Sequence, residues 1–67
     1  MDNLQGKIKD VWNKLEILDN IYIPEINKSY PIYDITETEI RLRDKTLIAG
    51  FWIMTKNFKH DVIIIKD

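Results

Sequence analysis

The stretch from Glu39 to Lys56, EIRLRDKTLIAGFWIMTK, decides how this chain folds. Its first five residues alternate polar and apolar, which is the period of a half-buried strand. Asp44 and Lys45 interrupt the alternation, and an apolar run broken only by Gly50 follows. Taken as a two-residue hairpin loop, Asp44-Lys45 sets Leu42 opposite Leu47 and Ile40 opposite Ala49. Cross-strand partners share a face, so Ile40, Leu42, Leu47 and Ala49 line one side of the sheet, and alternation adds Phe51 and Ile53. The other side collects Ile48, Trp52 and Met54 beside Glu39, Arg41 and Arg43.

Working toward the C-terminus, the turn from Asn57 to His60 places Thr55 opposite Val62, Met54 opposite Ile63, Ile53 opposite Ile64 and Trp52 opposite Ile65. Val62 and Ile64 join the inner face, Ile63 and Ile65 the outer one. A straight strand over residues 46–56 would run about 33 Å. A chain of this length has a diameter of only about 28 Å. A bend or bulge is therefore expected at Gly50, and a bulge there would exchange the faces of every residue after it.

Toward the N-terminus the pattern stays extended as far as Ile21. Strands are predicted at about 21–24, 30–35, 39–43, 46–56 and 61–66, with Pro24 and Pro31 confining the first two to strand ends or edges. Before them, Leu4, Ile8, Val11, Leu15 and Leu18 recur at alternating spacings of four and three. That predicts one amphipathic helix over about 3–18, with Trp12 at the edge of its stripe and Asp2 as N-cap paired with Gln5. The expected architecture is α+β: an N-terminal amphipathic helix packed on a strongly bent antiparallel meander of four or five strands, in two layers. The strand-turn-strand rhythm from Tyr33 to Asp44 is similar to that of SH3-like small barrels. The similarity implies curvature, with closure into such a barrel as the alternative, and no activity.

Composition bounds the rest. Sixty-seven residues make one domain, and 45% hydrophobic residues must build a core without a single cysteine. A chain this short buries only about 60% of its unfolded surface, so it relies on efficient packing, on association, or on both. No disulfide framework or thiolate metal site is available. The formal net charge of −1 speaks against an electrostatic nucleic-acid binder. The longest apolar run, from Leu47 to Met54, is far short of the roughly 20 residues a membrane-spanning helix needs. With no cationic stretch leading into an apolar core at the N-terminus, a soluble cytoplasmic protein is expected. Thirteen isoleucines against one alanine, with eight lysines and five asparagines, is the bias of an A/T-rich genome.

Few residues offer chemistry. His60 and Asp61 are neighbours, but adjacent strand residues point to opposite faces and cannot act as base and orienter. Ser29 is the only serine, and Asn27-Lys28-Ser29 reads as a loop. Glu37 and Glu39 read as a solvated strand end. Three or four convergent ligands, as a metal would need, are not visible in the spacing of the acids and the one histidine, and Gly6 and Gly50 stand alone rather than in a phosphate-binding loop. No enzyme, cofactor or metal is expected.

One helix covers one face of a small sheet, so the second apolar face is a surplus. The expected partner-binding residues are Ile48, Trp52, Met54, Ile63 and Ile65, flanked by Arg41 and Arg43. Tryptophan beside arginine is the composition of an interface hot spot. The sequence thus predicts a small non-enzymatic interaction module that binds a larger protein, self-associates as a homodimer, or both. Its size and compositional bias fit a phage or mobile-element inhibitor of a host protein. The alternative is a nucleic-acid-binding β-module using Arg41, Arg43 and nearby aromatics.

Overall fold

Residues 28–35 form the longest strand, and the sheet turns on it. In a computed structural model, which describes residues 3–48 and 50–66, the elements are β1 (Asn3–Lys7), α1 (Ile8–Val11) running into a 3-10 turn (Trp12–Lys14), β2 (Asn20–Ile23), β3 (Lys28–Ile35), β4 (Glu39–Arg43), β5 (Phe51–Thr55) and β6 (Asp61–Ile65). Every pairing is antiparallel, and the strand order is β1-β6-β2-β3-β4-β5. Two expectations, the Asp2 N-cap and the inward Ala49, fall outside the described residues. No described helix is long and apolar enough to cross a membrane.

β3 serves two partners in succession. Its first half pairs with β2, Ile21 opposite Tyr30, and its second half with β4. Ile32 lies opposite Leu42 and Ile35 opposite Ile40, three residues on one strand against two on the other. The extra residue is a bulge at Tyr33, which bends the sheet and lets both isoleucines meet the inward side chains of β4. Ile32, Ile40 and Leu42 are buried in one core with Ile21, Ile23, Met54, Val62 and Ile64.

The helix expected over 3–18 is mostly absent, which makes the protein mainly β with six strands rather than four or five. Residues 3–7 pair with β6 along their whole length, from Asn3 opposite Ile65 to Lys7 opposite Asp61. Gly6 adopts φ of +150°, a conformation a side chain would oppose. What remains helical is one α-turn with no side-chain cap, ending where Leu15 turns extended. A helix this short gains too few hydrogen bonds to offset its nucleation, so packing alone holds it. Ile8, Val11, Trp12 and Leu15 are buried as the stripe predicts, whereas Leu18 is exposed with φ of +79°.

The meander is also interrupted. β5 and β6 do not pair; the segment after β5 carries β6 across to lie between β1 and β2. Met54 opposite Ile63 and Trp52 opposite Ile65 are therefore not neighbours. A strand with Val62 and Ile64 on its inner side is best buried with a neighbour on each flank. β5 is left at one edge of the sheet and β1 at the other, so no SH3-like barrel closes.

Candidate interaction groove

The connection between β4 and β5 is a seven-residue loop, Asp44 to Gly50, and not a two-residue turn. Ile40 consequently faces Met54, five residues beyond the expected Ala49, and Leu42 faces Trp52. A displacement by an odd number reverses the faces of the strand. Met54 and Trp52 turn to the inner side, while Phe51 and Ile53 turn outward beside Arg43 and Arg41. Gly50 lies at the end of this loop rather than mid-strand, and a Cβ there would come within 2.6 Å of the Asp44 carbonyl and overlap the Leu47 side chain.

Asp44 organises the loop. Its carboxylate accepts from the Thr46 amide at 2.9 Å and hydroxyl at 2.6 Å, and from the Trp52 indole N–H at 2.7 Å. Its backbone N–H donates to Gly50 and its carbonyl accepts from Leu47. The Thr46 hydroxyl first, then the Trp52 indole and the Thr46 amide, hold this carboxyl below its ordinary range. The ring of Trp52 is thereby fixed at the rim of a groove.

That groove has a volume of about 340 Å³. It is lined by Trp52, Ile53 and Met54 of β5, by Ile23, Ile26, Lys28 and Tyr30 of the β2–β3 hairpin, and by Leu42 and Phe58. Consecutive β5 residues from both faces line it, so it runs along the free edge of the strand. Phe58 also borders a second depression, of about 300 Å³, lined by Lys7, Lys9, Lys56, Asn57 and Lys59.

The residues expected on one face separate into several places. Trp52 is on the groove wall and Met54 is a buried core residue beneath it. Ile48 projects from the loop, fully exposed. Ile63 and Ile65 lie half-buried on the outer side of β6, opposite Gln5 and Tyr22 and opposite Asn3 and Asn20 respectively. Arg41 and Arg43 are exposed on the outer side of β4, where Arg41 Nε stands 3.9 Å from Glu39 and Tyr33 packs on Phe51 with ring centroids 4.8 Å apart. The inner-face assignments of Leu47, Phe51 and Ile53 are overturned, since all three are exposed.

Ile23, Ile26, Tyr30 and Phe58 were not among the expected contact residues. An isoleucine inside Glu25-Ile26-Asn27 and a phenylalanine between Asn57 and Lys59 are apolar side chains in turn segments, the signal that points to them. His60 lies 3.8 Å from Glu25, and Asp61 pairs with Lys7 at 3.0 Å, so the two side chains engage different partners. Among the described residues no group of three or more histidines, cysteines or acids could hold a metal ion. Comparison with family models, curated proteins and solved structures finds no match.

Proposed function

We propose that this chain is a small binding module, without catalysis, that engages another protein through the groove at the open β5 edge. The observation that carries the reading is the run Phe51, Trp52 and Ile53, exposed at 41%, 50% and 61% on a strand with one hydrogen-bonded neighbour. An edge strand with bare apolar side chains and no proline or lysine is an invitation to pairing that monomeric proteins ordinarily block. A groove of this size with a half-exposed tryptophan on its wall suits an anchor side chain. The isoleucine- and lysine-rich, alanine-poor composition supports placing such a module in a phage or mobile element, where it would inhibit a host protein.

The test is affinity capture from host extract with wild type and Trp52→Asp, after near-UV circular dichroism has established that the variant folds. A partner held by wild type and released by Trp52→Asp is the expected result. Equal retention by both removes the groove from the reading. The outer side of β4 and β5 supports a second reading, because Tyr33, Phe51, Arg41 and Arg43 lie together there. Stacking aromatics beside arginines suit single-stranded nucleic acid. Binding of an oligothymidylate that falls steeply with salt and disappears in Arg41→Ala/Arg43→Ala would establish it.

A further inference from the structure

We infer that the occupant of the groove is an extended peptide segment that adds to the β5 edge and carries acidic residues beside its apolar ones. This rests on the groove reading above and names the chemistry of the partner. Three features converge on it. β5 ends the sheet, so its outward backbone groups have no strand to bond. An added strand opposite Phe51–Thr55 would satisfy them over a span of about 17 Å. Cross-strand partners share a face, so its residues opposite Trp52 and Met54 would point into the groove.

The third feature is charge. Four of the chain's ten basic residues, Lys7, Lys9, Lys56 and Lys59, converge on the depression that meets the groove at Phe58. Lys7 is occupied, donating to the Lys59 carbonyl at 2.6 Å and pairing with Asp61. Lys56 lies over the Trp12 ring, 5.1 Å from its centroid. Among the described residues Lys9, Lys56 and Lys59 make no ion pair. On a chain whose net charge is −1, this is a local concentration of positive charge at the end of β5. A strand lying along β5 therefore meets walls that are apolar except for Lys28, and further lysines just beyond Thr55. Complementarity asks for aliphatic or aromatic side chains at alternate positions, then aspartate or glutamate.

The experiment pans a phage-displayed library of random dodecapeptides against the wild-type protein, and measures synthetic copies of the enriched sequences by fluorescence anisotropy. Expected are peptides with alternating apolar residues and an acidic cluster at one end. Their affinity should fall about tenfold in Lys9→Glu/Lys59→Glu, and comparably when their acids are replaced by amides. That variant leaves the Lys56–Trp12 contact and the core in place. No enrichment, enriched sequences lacking the acidic end, or affinity unchanged in the lysine variant would each overturn the inference. So would sedimentation showing a wild-type dimer paired edge to edge through β5, or an oligothymidylate binding at these lysines more tightly than any selected peptide. Failure here is separable from failure of the groove: capture abolished by Trp52→Asp but untouched by Lys9→Glu/Lys59→Glu keeps the groove and discards the acidic peptide.

Discussion

β5 and β6 are alike in length and in apolar content, FWIMT against DVIII, yet the fold treats them oppositely. β6 lies between β1 and β2, with Val62 and Ile64 wholly buried. β5 has β4 on one side and, among the described residues, no hydrogen-bonded strand on the other, and only Met54 of its five residues is buried. Hydropathy alone does not separate the two strands; their places in the sheet order do. Four buried residues of the N-terminal segment, Ile8, Val11, Trp12 and Leu15, join the core that β6 faces. No such cover extends over the edge of β5, which leaves both apolar area and backbone hydrogen-bonding capacity unused.

The contrast is most directly challenged by truncating one isoleucine on each strand. Ile64→Ala removes buried methylenes from a site with no exposure and should cost about 2–5 kcal/mol, read from the urea midpoint. Ile53→Ala should stay within about 0.5 kcal/mol. A similar cost at both sites would mean that β5 is covered in solution and that the comparison fails. Gly50→Ala comes next. Its new methyl group meets the Asp44 carbonyl and the Leu47 side chain inside the loop, and overpacking of this kind costs about 1–3 kcal/mol. Because the loop sets the register of β5, the variant should also disturb the Trp52 signals while those of β6 stay in place.

The same two strands explain what could be read from the chain and what could not. Strand positions were legible because alternation and β-branching are local: residues 21–24, 30–35, 39–43 and 61–66 match within a few residues. The burial of Ile8, Val11 and Leu15 was legible too, since their spacing holds for a single helical turn as well as for a long helix. Strand order was not, because whether β6 pairs with β5 or inserts between β1 and β2 depends on which distant edge buries it best. Residues 3–7 read as helix until β6 offers them a partner, and tertiary pairing then outweighs propensity. One local feature decides most of the site. Asp-Lys is a weak hairpin signal, and replacing that turn by a seven-residue loop moved Met54 into the core and Ile53 out of it. Trp52 stayed in the site, while the groove's other lining residues and the lysines beyond Phe58 come from segments far apart in sequence.

Changing pH should affect the two regions from opposite directions. The folded Asp44 carboxyl titrates below its ordinary value of 3.8, because Thr46 and Trp52 hydrogen-bond the charged form. Its contribution is complete above that value and fades as the pH falls through the lowered one. At the end of β6, Lys66 donates to Asp19 at 2.8 Å and to Glu16 at 3.3 Å. Those contacts, Asp19 first, raise it above its ordinary value of 10.5. Its contribution is complete below 10.5 and fades as the pH rises through the raised value. Acid should therefore shift the Trp52 indole N–H resonance first, and alkali the Ile65 amide. Asp44→Asn should abolish the acid shift at Trp52 and leave the alkaline one intact. If Asp44→Asn also removes the alkaline shift at Ile65, β5 and β6 are not independent regions.

The smallest expected effect concerns strain. Leu18 is 73% exposed and holds φ of +79°, which a leucine adopts only against its Cβ. The conformation persists because the backbone around it is fixed twice: the Leu18 amide donates to the Ile32 carbonyl at 3.0 Å, and the Ile32 amide to the Asp19 carbonyl at 2.8 Å. Backbone hydrogen bonds to β3, and not side-chain packing, thus hold this strain. Leu18→Asn should raise stability by something under about 1 kcal/mol, since asparagine tolerates this conformation and little packing is lost. The same exchange at Ile53, which is also exposed but lies in a strand, should bring no gain, because asparagine is disfavoured there. Two exposed apolar residues would then respond differently to the same exchange, one relieved of backbone strain and the other given a residue that its strand disfavours.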